Sequence, residues 1–109
     1  MTAIVKTLEP TGMLDGATTN ELKNQVTDLI QQGADIVLLD MKDVTFMNSS
    51  GIGALVAILK IVRAKGKQLY LCGLTDQVKM IFQLTKMDRV FKLFLDSGEF
   101  ETKVLMTGA

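Results

Sequence analysis

Ser49 and Ser50 stand between a strand-like segment and a very apolar helical one, in the stretch Phe46-Met47-Asn48-Ser49-Ser50-Gly51-Ile52-Gly53-Ala54. A hydroxyl at the mouth of a helix is suited to accept a phosphoryl group. The added charge meets free N–H donors and the positive end of the helix dipole. Gly51 and Gly53 keep bulky side chains away from this turn, so another protein can reach the hydroxyls. Other readings stay open. Ser before a helix is an ordinary N-cap, worth about 1 kcal/mol over Ala. Gly51-x-Gly53 matches part of a phosphate loop, but Val56 stands at the third glycine of the dinucleotide fingerprint and no Lys-Ser/Thr pair follows. Neither serine sits in a Gly-x-Ser-x-Gly nucleophile turn.

The composition excludes several chemistries. The chain of 109 residues contains no histidine, which removes Ser-His-Asp catalysis, histidine metal sites and the commonest general base. No catalytic residue, metal ligand or cofactor is therefore expected. Asp40 and Asp43 read as the end of a strand and the start of a loop rather than an acid–base pair. Lys plus Arg balance Asp plus Glu at 12 each, so no net charge draws the chain to nucleic acid or anionic lipid. The longest apolar run, Ile52 to Leu59, is eight residues, too short for a membrane span. Met1 to Lys6 lacks the layout of a signal peptide, and a lone Cys72 suits a reducing cytoplasm. Hydrophobic residues at 48% indicate a folded chain, read as one domain spanning 1–109.

The elements that must position the serines alternate. Ile4 to Leu8 predicts a strand closed by Pro10, and Thr11 to Gly16 a turn. Thr18-x-x-Glu21 has capping-box spacing for a first helix whose stripe is Leu22, Val26, Leu29 and Ile30, ending at Gly33. The run Ile36-Val37-Leu38-Leu39 between Asp35 and Asp40 predicts a strand buried on both faces. Residues 41–48 read as a connection. The second helix is expected from about Ser50 to Lys65, with Ile52, Leu55, Val56, Leu59 and Val62 inward and Lys60 and Arg63 solvated. Leu69 to Cys72 is a third strand, and Thr75-Asp76 caps a helix carrying Val78, Ile81 and Phe82. Val90 to Leu95 is strand or extended, with Phe91 and Phe94 covering the sheet. A short helix follows from Asp96 towards Val104, and the tail from Thr107 is expected to fray. The pattern is α/β: a mostly parallel sheet of about four strands covered by about four helices.

Taken together, Thr11-Gly12-Met13-Leu14-Asp15, the strand Ile36 to Asp40 and Val44-Thr45-Phe46-Met47-Asn48-Ser49-Ser50-Gly51-Ile52-Gly53 resemble the anti-sigma factor antagonists of bacteria. These belong to the sulfate transporter and anti-sigma antagonist (STAS) group. The similarity extends over nearly the whole chain. It implies that Ser49 is the phosphoacceptor, with Ser50 as helix cap or secondary site. It implies that Asp15 is the acidic residue beside the phosphorylation loop. The expected partners are an anti-sigma factor serine kinase, held by the unmodified protein and released on phosphorylation, and a phosphatase. The contact surface is expected around Asp15, Asn48, Ser49 and Gly51. Seven methionines read as core filler, with Met47 the one placed to contribute to docking. A second reading is a nucleotide- or anion-binding regulatory module, using backbone N–H groups from Gly51 to Gly53.

Two departures from the family pattern stand out. Asn48 occupies the place of the family's Asp, which lowers repulsion toward a new phosphate. The front of the chain also looks short by one strand, which leaves a sheet edge less covered and a weak homodimer open.

Overall fold

Residues 3–106, described by a computed structural model, alternate strand and helix. The chain begins with β1 (Val5–Leu8), β2 (Thr11–Leu14) and α1 (Gly16–Gln31). It continues through β3 (Ile36–Asp40), β4 (Asp43–Met47), α2 (Ser49–Ala64), β5 (Gln68–Cys72) and α3 (Asp76–Leu84). A 3-10 turn (Met87–Arg89), β6 (Leu93–Phe94), α4 (Ser97–Phe100) and a wider π turn (Glu101–Leu105) close the described part. The tail from Thr107 lies outside it.

Four strands form one parallel sheet in the order β1-β3-β5-β6. The central strand β3 buries both faces, as its continuous apolar run predicts. Its Val37 and Leu39 join Leu22, Val26, Leu55, Ile58 and Val62 in the core beneath α1 and α2. Its Ile36 and Leu38 face the other way, onto Cys72 and Phe100. Tyr70, Phe94 and Phe100 form a ring cluster on that side, with centroids 5.5 to 5.7 Å apart. Phe91 instead packs on Phe82 in the helix-side core, at 5.8 Å.

The structure adds a second sheet where turns and connections were expected. Residues 11–14 and 43–47 are strands that pair in parallel, Thr11 with Asp43 and Leu14 with Met47. The register shifts between Gly12 and Met13, where Gly12 takes a positive φ of 75°, so Thr45 is left over as a bulge. Both strands expose a large apolar residue, Met13 and Phe46, which breaks the alternation that marks a half-buried strand.

Helix starts also move. Asp15, not Thr18, caps α1, and α2 begins at Ser49 with Asn48 as its cap, not at Ser50. On α2, Ile58 is buried while Ile52 and Val56 are half-buried; on α1, Leu29 is half-buried. Gly33 follows α1 with a φ of 106°, the positive-φ stop expected of it, and Gly66 follows α2 with a φ of 72°.

Candidate functional site

Pairing of β2 with β4 brings two helix starts together. Leu14 lies opposite Met47, so the next residues, Asp15 and Asn48, cap α1 and α2 side by side. The Asn48 N–H donates to the Leu14 carbonyl at 3.3 Å, tying the second start to the first strand. A Cβ built on Gly16 would stand 3.6 Å from the Ser50 Cβ, which places the two first turns in contact.

Asp15 is fixed by a reciprocal capping box. Its Oδ1 accepts the Thr18 N–H at 2.9 Å, and the Thr18 hydroxyl oxygen accepts the Asp15 N–H at 2.9 Å. The Thr18 hydroxyl also lies 3.0 Å from Asp15 Oδ1 and 3.1 Å from the Met13 carbonyl oxygen. The Thr18 backbone donor and then its hydroxyl hold the Asp15 carboxyl below the usual aspartate range, so it is ionised at neutral pH. A fixed negative charge therefore stands at the mouth of the paired helices.

Asn48 does for α2 what Asp15 does for α1, without charge. Its Oδ1 accepts the Gly51 N–H at 2.8 Å. That leaves Ser49 and Ser50 as the first two helical residues, whose N–H groups have no partner within the helix. Both serines are exposed. Their hydroxyls make no hydrogen bond among the described residues.

The two glycines separate. Gly51 is buried, and a Cβ there would lie 2.1 Å from the Leu14 carbonyl oxygen. Its role is to let α2 pack on the end of β2. Gly53 is exposed with open space around it. Met47 is 1% exposed and belongs to the core, so the docking contact expected of it is not available at the surface. The exposed apolar neighbour is Phe46, at 39%, and across the strand pair Met13, at 45%. Met13 and Phe46 were not singled out in the sequence; Thr18 was, as a cap, but it is the third helical residue of α1. For Thr18 the capping-box spacing was present but started three residues early, at Asp15.

Among the described residues no group of three or more His, Cys, Asp and Glu could hold a metal ion. No helix there is long and apolar enough to cross a membrane.

Comparison with known proteins defines the class. Residues 3–100 match the STAS domain family, and the chain belongs to it. Curated relatives that it matches carry the name anti-sigma-B factor antagonist. The anti-sigma-B factor antagonist of Staphylococcus aureus is 32% identical over 74 residues, 68% of each chain. The Staphylococcus epidermidis protein of the same name is 31% identical over the same lengths. Among solved structures, TM1081 from Thermotoga maritima superposes with a TM-score of 0.80 at 27% identity, covering 92% of this chain and 86% of that one. Unphosphorylated SpoIIAA, an anti-sigma factor antagonist, shares the fold at a TM-score of 0.73 and 16% identity, covering 99% and 92%.

Proposed function

We propose that this chain is an anti-sigma factor antagonist working as a phosphorylation-controlled partner switch, with Ser49 as the acceptor. The observation that carries the reading is the exposed, unbonded Ser49 hydroxyl in the first turn of α2, beside the fixed carboxylate of Asp15. Unmodified, the surface around Asp15, Asn48 and Ser49 docks on a serine kinase that is itself the anti-sigma factor, and so keeps it from its sigma factor. Ser49 Oγ then attacks the γ-phosphorus of ATP, its proton passes to a base on the kinase, and ADP leaves. A phosphatase resets the switch by hydrolysis. Ser50 is the secondary acceptor, and the cytoplasm is where ATP and such partners meet.

The phosphoryl group adds about 1.5 to 2 negative charges at neutral pH. On the free protein it is tolerated, since the Ser49 and Ser50 N–H groups face a helix terminus that favours anions by about 0.3 to 1 kcal/mol. At a closed interface it loses water, its repulsion by Asp15 is less screened, and it meets the kinase's own nucleotide. A penalty of about 3 kcal/mol weakens binding more than a hundredfold. Fold and affinity are thereby separated, which is what a switch requires. The Asp15 charge, and the lack of any Lys or Arg from Asp43 to Leu59, weigh against the same loop holding a free nucleotide or anion.

Ser49→Ala and Ser49→Asp test the reading against the cognate kinase. Ser49→Ala binds as the parent does and loses the main phosphorylation, leaving at most the slower modification of Ser50; Ser49→Asp binds at least tenfold more weakly. Parent-like binding by Ser49→Asp, with Ser50→Asp equally silent, overturns it.

A further inference from the structure

We propose that the cleft at the far end of α2, lined by Arg63, Lys67 and Lys92, receives phosphorylated Ser49 of a second copy, so that the modified chain stacks head to tail; this rests on Ser49 being the acceptor, as proposed above. Charge runs in one direction along α2. Around its start, Pro10 to Leu22 and Asp43 to Leu59 hold Asp15, Glu21 and Asp43 and no Lys or Arg. From Lys60 to Thr75 the sign inverts, with Lys60, Arg63, Lys65 and Lys67 and no acid. The chain is neutral as a whole, yet its acceptor stands at an acidic end and faces away from a basic one. A phosphoryl group adds about 1.5 to 2 negative charges to the acidic end.

Folding gathers the opposite charge in a concave place. A cleft of about 230 Å³ lies between the last turns of α2, the start of β5 and the residue before β6. Arg63, Lys67 and Lys92 line it, one from each of those segments or the turn leading into them, with buried Leu59 and Leu69 beside them. Arg63 and Lys92 are exposed and form no ion pair among the described residues. Lys67 shares its charge with Asp35 at 3.1 Å, so two cations are left uncompensated. The Tyr70 hydroxyl donates to Gln68 Oε1, which leaves the Gln68 amide nitrogen as a neutral donor in the same cleft. No carboxylate of the described residues lines it. A guanidinium beside an ammonium is suited to a phosphate monoester, the guanidinium through two parallel N–H bonds.

The occupant cannot be the chain's own Ser49. Ser49 and Arg63 stand at the two ends of one continuous helix, roughly 21 Å apart along its axis. A second copy carries the matching group, exposed in the first turn of its α2 and flanked by acids. Because the two surfaces differ and lie at opposite ends, the contact is heterologous and does not close on itself. Each added copy leaves one cleft and one phosphate unused. The product is an open rod in which every phosphate but the last is covered.

The test encodes phosphoserine directly at position 49, which makes it independent of any kinase, and follows the full chain by sedimentation velocity at low salt. The mass of the phosphorylated chain is expected to rise steadily with concentration, with no plateau at two copies. The unmodified chain associates at least tenfold more weakly. Raising salt from about 20 to 200 mM moves half-association to a concentration tenfold higher or more. Arg63→Glu and Lys92→Glu, each checked by thermal melting, do the same. Lys79→Glu, an equal change of charge on α3 outside the cleft, does not. Phosphorylated Arg63→Glu keeps its phosphate and the unmodified parent keeps its cleft, so a mixture of the two stops at a one-to-one pair. Should Arg63→Glu fail to fold, Lys92→Glu carries both arms. A phosphorylated parent still monomeric at about 1 mM, the limit of a weak contact, overturns the proposal. So does a plateau at two copies, or association that survives both charge reversals. If the phosphorylated parent stays monomeric while pyrophosphate shifts the NMR signals of Arg63 and Lys92, the cleft takes free phosphate and the stacking is overturned. None of these outcomes touches the kinase switch, which stands or falls on the binding of Ser49→Asp and Ser50→Asp.

Discussion

At the scale of single residues, Asn48 sets the surroundings of Ser49, the acceptor proposed above. Its side chain closes the first turn of α2 through Gly51, as Asp15 does for α1 through Thr18, but it brings no charge. Asn48→Ala removes that bond and should lower stability by about 1 kcal/mol. Asn48→Asp keeps the bond and adds a charge at the positive end of the helix, so the unmodified protein should gain about 0.3 to 1 kcal/mol. Once Ser49 carries phosphate the sign reverses. Two anions within about 4 Å repel by about 1 kcal/mol per charge pair even at the dielectric of water. Thermal melts of Asn48→Asp, with and without Ser49 phosphorylation, check this: the substitution raises Tm in one form and lowers it in the other. A rise in both would mean that the cap and the phosphate do not sense each other. None of this could be read from Ser49-Ser50 alone, since Ser, Asn and Asp are all good caps and the sequence does not say which one starts the helix.

At the scale of elements, the two glycines of α2 show what was legible and what was not. Gly51 and Gly53 look alike in sequence, yet one faces the Leu14 carbonyl and the other faces open space. The difference depends on β2, a strand hidden in the sequence by Pro10, by Gly12 and by an outward Met13. The buried strand β3 and the stripes of α1 and α2 were legible because continuous burial and helical periodicity leave strong patterns. Strands β2 and β4 were not, being short, bulged and exposed on one face by apolar residues. Gly51→Ala should cost about 3 kcal/mol or more, because its Cβ meets backbone that cannot step aside. Gly53→Ala should stabilise by about 0.5 to 1 kcal/mol through helix propensity. Denaturant midpoints of the two variants decide it. Equal effects of one sign would mean that α2 does not seat on β2 as described.

At the scale of the whole molecule, the sheet separates the site from a second layer. One face carries α1 and α2, whose paired starts form the site; the other is closed by Phe100 of α4 over Ile36, Leu38 and Cys72. The sequence showed a weak helix near 97–104 but not that it would cover the sheet, because only Phe100 within it is buried. Beneath it, burial first, and then the nearby charges of Asp40 and Asp96, push the Cys72 thiol up to about 11. At pH 8 the thiol is therefore both protonated and covered, and a disulfide reagent should label it only when the chain opens. Phe100→Ala leaves a cavity among Tyr70, Phe94 and Cys72 and should cost about 3 kcal/mol or more. Because the Phe100 ring packs on this face of the sheet, α4 should detach as a unit while the helix-side core stays folded. Labelling of Cys72 should then outrun global unfolding in Phe100→Ala, whereas in the parent the two rates coincide. Phosphorylation of Ser49 in Phe100→Ala should continue at the parent's rate wherever α1 and α2 remain folded. Labelling that keeps pace with global unfolding in both proteins would show instead that the two faces of the sheet melt as one.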